Sequence, residues 1–157
     1  MSRLNMVVAY VIMIGFGVGF YFAGIYVKIP YLKAIFPMND SVFESLKLII
    51  YPSLLYMLID LLIIRKNING AFNSYVSVIL IAVIFKICAY YIIEGIVGYV
   101  LSFIEYIIYG ISIAIIIYYR NKKITLLNNI SSVIVLIIIF IILAVFSYFP
   151  SNLNIFN

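Results

Sequence analysis

Three ionisable side chains, Asp60, Lys86 and Glu105, stand inside long apolar runs, and they are where chemistry is to be looked for first. A charge in such a setting is costly, so it faces the protein interior or water and takes a partner. The chemistry open to the three is an ion pair that locks helices together, or a protonatable element in a transport cycle. A second group lies in the polar segment Asn39, Asp40, Ser41, Glu44 and Lys47. Ser41 and Glu44 have the S-x-x-E spacing of a capping box, with acid at a helix start. These residues either begin a helix or line a polar pocket. The chain has no histidine and a single cysteine, Cys88. That excludes histidine-based metal sites and general bases, an internal disulfide, and Ser/His or Cys/His nucleophile pairs. No catalytic set, metal site or cofactor is expected.

The elements that must position these residues follow from composition. Hydrophobic residues make up 68% of the 157 and charged residues 10%, against about 45–50% and 25% in average proteins. That few charges cannot coat a soluble globule, so an integral membrane protein is expected. Five segments reach the ~20 apolar residues of a span, at about 6–27, 42–64, 75–93, 99–119 and 129–149. They are too long and continuous for barrel strands. The expected fold is all-α: a bundle of five transmembrane helices forming one domain over 1–157. The first segment is longer than the roughly 7–15 apolar residues of a signal core and has no small-x-small cleavage site after it, so it reads as a retained helix.

Basic residues set the orientation. Arg3, Arg65, Lys66, Arg120, Lys122 and Lys123 would share one side, which should be cytoplasmic. The N-terminus is then inside and the C-terminus outside, as expected for a multi-pass protein of a bacterial cytoplasmic membrane. The net charge of +5 is mostly this signal. No basic stripe supports nucleic-acid binding. The expected partner is the lipid bilayer, with a membrane-protein partner or a homo-oligomer left open. Tyr21, Tyr26, Tyr31, Tyr90 and Tyr91 would anchor the outer interface, and Tyr118 and Tyr119 the inner one.

At 1.5 Å per residue, Lys86 lies roughly 18 Å, Glu105 roughly 20 Å and Asp60 about 6–8 Å from the inner ends of their helices. Backbone depth favours Glu105 as the partner of Lys86. Side-chain lean toward each helix N-terminus favours Asp60. Ser53, Tyr56 and Asp60 share one face of helix 2, and Ser102, Glu105, Tyr109 and Ser112 one face of helix 4. Such stripes line a narrow polar cavity or bond helix to helix. Pro52 should kink helix 2, with Ser53 or Tyr51 supplying local compensation. Gly15, Gly19 and Ala23, spaced by four, form a strip for close helix packing, within the chain or between copies. From Val133 to Phe146 helix 5 has no polar residue and should face lipid.

The segment Asn39-Asp40-Ser41-Val42-Phe43-Glu44-Ser45-Leu46-Lys47, followed by Pro52, resembles a motif in a family of small multi-span Firmicutes membrane proteins of unknown function. That motif reads approximately Asn-Glu-Ser-x-Trp-Glu-His-Leu-Lys. Gly95 to Gly98 looks like the family's turn between two spans, and Tyr148-Phe149-Pro150 like its closing segment. Phe43 and Ser45 depart from the tryptophan and histidine of the motif, so no role of that histidine carries over. The resemblance implies a multi-span fold and brings no activity. The topology puts segment 39–47 and tail 150–157 outside, where they are expected to pack together.

Three functions remain in order of support: a structural or accessory membrane component, a small ion- or proton-coupled transporter or channel built on Asp60, Lys86 and Glu105, and a lipid enzyme using Asp40, Glu44 and Lys47. No inverted repeat supports the second. A cavity holding two of the buried charges would favour transport. A dry, fully paired core would favour the accessory role, and a side groove ending at Glu44 the enzyme.

Overall fold

The computed structural model describes residues 3–26, 29–37, 41–64, 68–121 and 124–148. It is an all-α bundle of five helices: α1 (Arg3–Tyr26), α2 (Val42–Ile59), α3 (Ile68–Val97), α4 (Ser102–Asn121) and α5 (Asn129–Tyr148). A short 3-10 turn, Pro30–Leu32, follows α1, and α2 runs on into a π-helical turn, Asp60–Ile64. All five helices are long and apolar enough to cross a membrane.

Successive helices alternate in direction, and two ends result. The Asp60 end gathers the last turns of α2 and α4 and the first turns of α3 and α5. The opposite end, called here the Lys47 end, holds the α1–α2 connection and the turn between α3 and α4. α2 sits centrally: 67% of its apolar window is buried, against 17% for α1 and 11% for α5. This follows from sequence, because α2 carries Glu44, Lys47, Ser53 and Asp60, polar groups that need partners on several sides. Its apolar side chains Leu46, Ile49 and Ile50 meet Met13 of α1, Ile79 of α3 and Ile113 of α4 in one core. α5 buries only Ser132 and Leu143, and Ile134, Ile137 and Ile141 are at least half exposed. The polar-free stretch of this helix therefore faces outward.

The helix ends have local causes. Ser41 caps α2: its Oγ accepts the Glu44 N–H at 3.3 Å. Gly98 ends α3 with φ +84° and donates its N–H to the Glu94 carbonyl at 2.7 Å. This left-handed C-terminal cap favours glycine because it has no Cβ. Asn128 caps α5 through Oδ1, which accepts the Ser131 N–H at 2.9 Å.

α3 extends beyond the 75–93 read from sequence. Its first turns hold the polar residues Asn73, Ser74 and Ser77. In the fold two of these residues bond to neighbours. Asn73 donates to the Asn129 side chain of α5, and Ser77 donates to the Asn73 carbonyl while accepting the Leu126 N–H at 3.0 Å. Inside α2, Ser53 donates to the Ile49 carbonyl at 2.5 Å, one turn back from Pro52. The carbonyl that Pro52 leaves without its helical donor is that of Leu48. It lies over Gly17 of α1, 3.5 Å from where a Cβ would stand.

Candidate functional site

The charged residues fall into three assemblies. At the Asp60 end, Asp60 is salt-bridged to Arg120 of α4 and accepts the Tyr75 hydroxyl at 2.8 Å. The Arg120 guanidinium stands 5.3 Å from the Tyr75 ring centre and 5.7 Å from that of Tyr56. Exposure is 0% for Asp60 and Tyr75, 2% for Arg120 and 4% for Tyr56. A buried pair repays its desolvation better when hydrogen bonds support it, and here a phenol donates to the carboxylate while two aromatic rings flank the guanidinium. Ser74 and Ser132 lie buried at the same end, and among the described residues their hydroxyls meet no hydrogen-bond partner.

Arg120 is the member of this ion pair that the sequence does not single out. Its sequence position groups it with the basic residues expected to set orientation, yet it lies inside the bundle. Its signal was present: Arg120 and Asp60 close parallel helices, so the depth arithmetic that put Asp60 near one end puts Arg120 beside it. Arg120 also carries positive charge in the last turn of α4, where the helix dipole favours it.

At the Lys47 end, Lys47 donates to both carboxylate oxygens of Glu44 at 2.7 Å and to the Lys33 carbonyl at 2.6 Å. Tyr51 donates to the Ala34 carbonyl, also at 2.6 Å. The connection 29–37 therefore turns its carbonyls inward onto α2, and Lys47, with 0% exposure, clamps it. Glu44 and Lys47 bond each other, and Lys47 also bonds this loop. Asn39 and Asp40, and the expected contact between 39–47 and 150–157, lie outside the described residues. α5 does end near this loop: Tyr148 donates to the Tyr31 carbonyl at 2.8 Å, and the Phe43 and Phe146 rings meet at 5.8 Å.

The third assembly is a cavity of about 520 Å³ between α1, α2, α3 and α4. Lys86 and Glu105 both line it, together with Ser45 and Ser102. Lys86 is 3% exposed and donates to the Ser45 carbonyl at 3.2 Å, the one acceptor it meets among the described residues. It also feels the charge of Glu105. Asp60 thus belongs with Arg120 at the Asp60 end, while Lys86 and Glu105 share the cavity. The three do not form one network, because side-chain lean cannot bridge the depth between Asp60 and Lys86. Ser45, where the sequence departs from the resembled motif, is part of the wall.

Two bonds between helices cross one end of the cavity, and exposed side chains edge the other. Tyr10 donates to the Gly110 carbonyl at 3.3 Å, and Tyr109 to the Met13 carbonyl at 3.4 Å. These bonds tie α1 to α4 at that end. Farther toward the Lys47 end, Val18, Phe22 and Tyr106 form the rim and are 47%, 50% and 63% exposed. The opening lies between α1 and α4, on the flank of the bundle.

Within the chain the expected glycine strip is displaced. Gly15 and Gly19 face open space and Ala23 is half-buried. The close approaches are at Gly17, where a Cβ would overlap the Tyr109 hydroxyl, and at Gly24, where it would overlap the Pro37 carbonyl. The reason is rotational: α1 turns the Gly17–Gly24 face toward α2 and α4.

Among the described residues no cluster of His, Cys, Asp and Glu could hold a metal ion. The chain matches no family model, and neither a curated protein nor a solved structure is significantly similar to it. What fold and site define is a small all-α five-helix protein with an internal polar and salt-bridge network.

Proposed function

We propose that the chain is a five-span integral membrane protein, N-terminus inside and C-terminus outside, serving as a non-enzymatic and non-conducting accessory component of a bacterial cytoplasmic membrane. Five helices of mean hydropathy 1.6 to 3.2 support insertion, as do the apolar outer faces of α1, α4 and α5. Arg65, Lys66, Lys122 and Lys123 follow α2 and α4 in sequence, which supports the orientation. The likeness of segment 39–47 to the Firmicutes motif supports the bacterial setting.

The observation that carries the non-conducting reading is the Asp60 layer. Tyr10, Tyr109 and Gly110 line the cavity, and nearer the Asp60 end Asp60, Arg120, Tyr75 and Tyr56 are buried. The test is flux in proteoliposomes loaded with pH- and cation-sensitive dyes. Leak equal to that of protein-free vesicles is expected. A saturable flux abolished by Lys86→Met would overturn this reading.

One observation favours a second reading, an ion- or proton-coupled transporter. Lys86 and Glu105 share a cavity open at one side, while a paired layer seals the other end, as in one state of an alternating cycle. That reading requires the Asp60–Arg120 pair to separate during turnover. A cross-link between α2 and α4 at this level would then stop flux.

A further inference from the structure

We propose that the cavity seats the headgroup of a zwitterionic phospholipid bearing a primary ammonium. Its phosphate lies against Lys86, its ammonium against Glu105 and the tyrosine rings, and its acyl chains leave between α1 and α4. The inference rests on the membrane reading above and adds a ligand to it.

Size, charge and shape argue for this occupant together. A volume of about 520 Å³ falls within the roughly 300–1,000 Å³ of small-molecule sites and far exceeds what one ion needs. Lys86 is sealed into the wall and spends one proton on the Ser45 carbonyl, so it has donors left for an anion. Glu105 faces the same space. A purely anionic ligand would meet repulsion from Glu105, and a purely cationic one from Lys86. A zwitterion gives each charge its complement without adding net charge to a low-dielectric site. Tyr10, Tyr21, Tyr106 and Tyr109 line the cavity and offer aromatic faces to an ammonium.

The rim decides the source of the zwitterion. A water-soluble one would enter at the bundle end, where Ser102 is an exposed polar lining residue. On the flank the cavity is edged by Val18 and Phe22, both about half exposed on the outer face of α1. That face meets acyl chains in a bilayer, so the side opening suits a headgroup that arrives with its tails still in lipid. Glu105 and the hydroxyls of Ser45 and Ser102 can accept from or bond a primary ammonium, whereas a quaternary ammonium has no N–H to give. This selects ethanolamine over choline headgroups.

The test uses the full chain purified in mild detergent, mixed with phosphatidylethanolamine, phosphatidylcholine or phosphatidylglycerol, with retained lipid counted by native mass spectrometry. One phosphatidylethanolamine per chain is expected, held about tenfold more tightly than the other two. Lys86→Met and Glu105→Gln should each reduce retention about tenfold, and Cys88→Ser should leave it unchanged. Val18→Trp, which narrows the opening without touching a charge, should also reduce it, and this covers the case in which Lys86→Met fails to assemble. Equal retention of all three lipids would overturn the proposal. So would unchanged retention in Glu105→Gln and Val18→Trp, or displacement of the lipid by free phosphoethanolamine at matching concentration. Retention is read in detergent and flux in vesicles, so a conducting, ethanolamine-selective protein would sink the non-conducting reading alone.

Discussion

The Asp60 layer and the Lys86 cavity are built from the same parts: one cation, one carboxylate and several tyrosines. They end up as opposites. At the Asp60 end Tyr75 bonds the carboxylate, and Tyr75 and Tyr56 cover the guanidinium, so nothing charged meets open space. Around Lys86 the tyrosines bond elsewhere. Tyr10 and Tyr109 spend their hydroxyls on backbone carbonyls of the opposite helix, and glycine makes this crossing feasible, since Gly17 and Gly110 leave the room those rings occupy. The difference teaches that a charge within a bundle is neither structural nor functional by residue type. What separates the two is whether the surrounding aromatics close over the charge or brace the helices apart around it.

The comparison breaks or sharpens under substitution, and unfolding in detergent micelles is the common measurement. Arg120→Met should be the most damaging, costing about 3–5 kcal/mol, because it leaves Asp60 buried without its cation. Adding Asp60→Asn to that variant should recover part of the loss, since the two residues are coupled. Tyr75→Phe removes one hydrogen bond to a buried carboxylate and should cost about 1.5–3 kcal/mol. Gly24→Ala forces a Cβ onto the Pro37 carbonyl and should cost about 1–3 kcal/mol, with faster proteolysis in the 29–37 connection. Ser41→Ala removes the cap of α2 and should cost about 1 kcal/mol. Lys86→Met should change stability least, within about 0.5 kcal/mol, as it removes a cation with a single carbonyl partner beside open space. If Lys86→Met proved as costly as Arg120→Met, the two regions would be equivalent locks and the contrast would fail.

Much of this was legible in the residues. Continuous apolar runs are a strong signal because a helix satisfies its own backbone, so five helices followed directly. The Ser41–Glu44 spacing placed the start of α2 correctly. The pairing of buried charges was less legible, because it depends on how each helix is rotated. Arg120 looks like an interface residue in sequence, since the neighbouring Lys122 and Lys123 suggest a polar boundary. Gly15 and Gly19 have the spacing of a packing strip, but one-dimensional spacing does not say which face of α1 meets α4, and Gly17 proved to lie on that face. The cavity was invisible for the same reason: it is a gap between helices, set by two tyrosines reaching across glycines.

The Lys47 clamp bears on the order in which the protein is put together. Its bonds link residues 11, 14 and 17 positions apart, so α1, the 29–37 connection and α2 close as a unit of low contact order. The pair at the other end joins residues 60 positions apart. During synthesis the clamped pair can therefore form before α3 emerges, while Asp60 must wait for α4 to deliver Arg120. Until then Tyr75, only 15 positions away, is a hydrogen-bond donor already in place for that carboxylate. The chain thus passes through a three-helix stage in which Asp60 has not yet met Arg120.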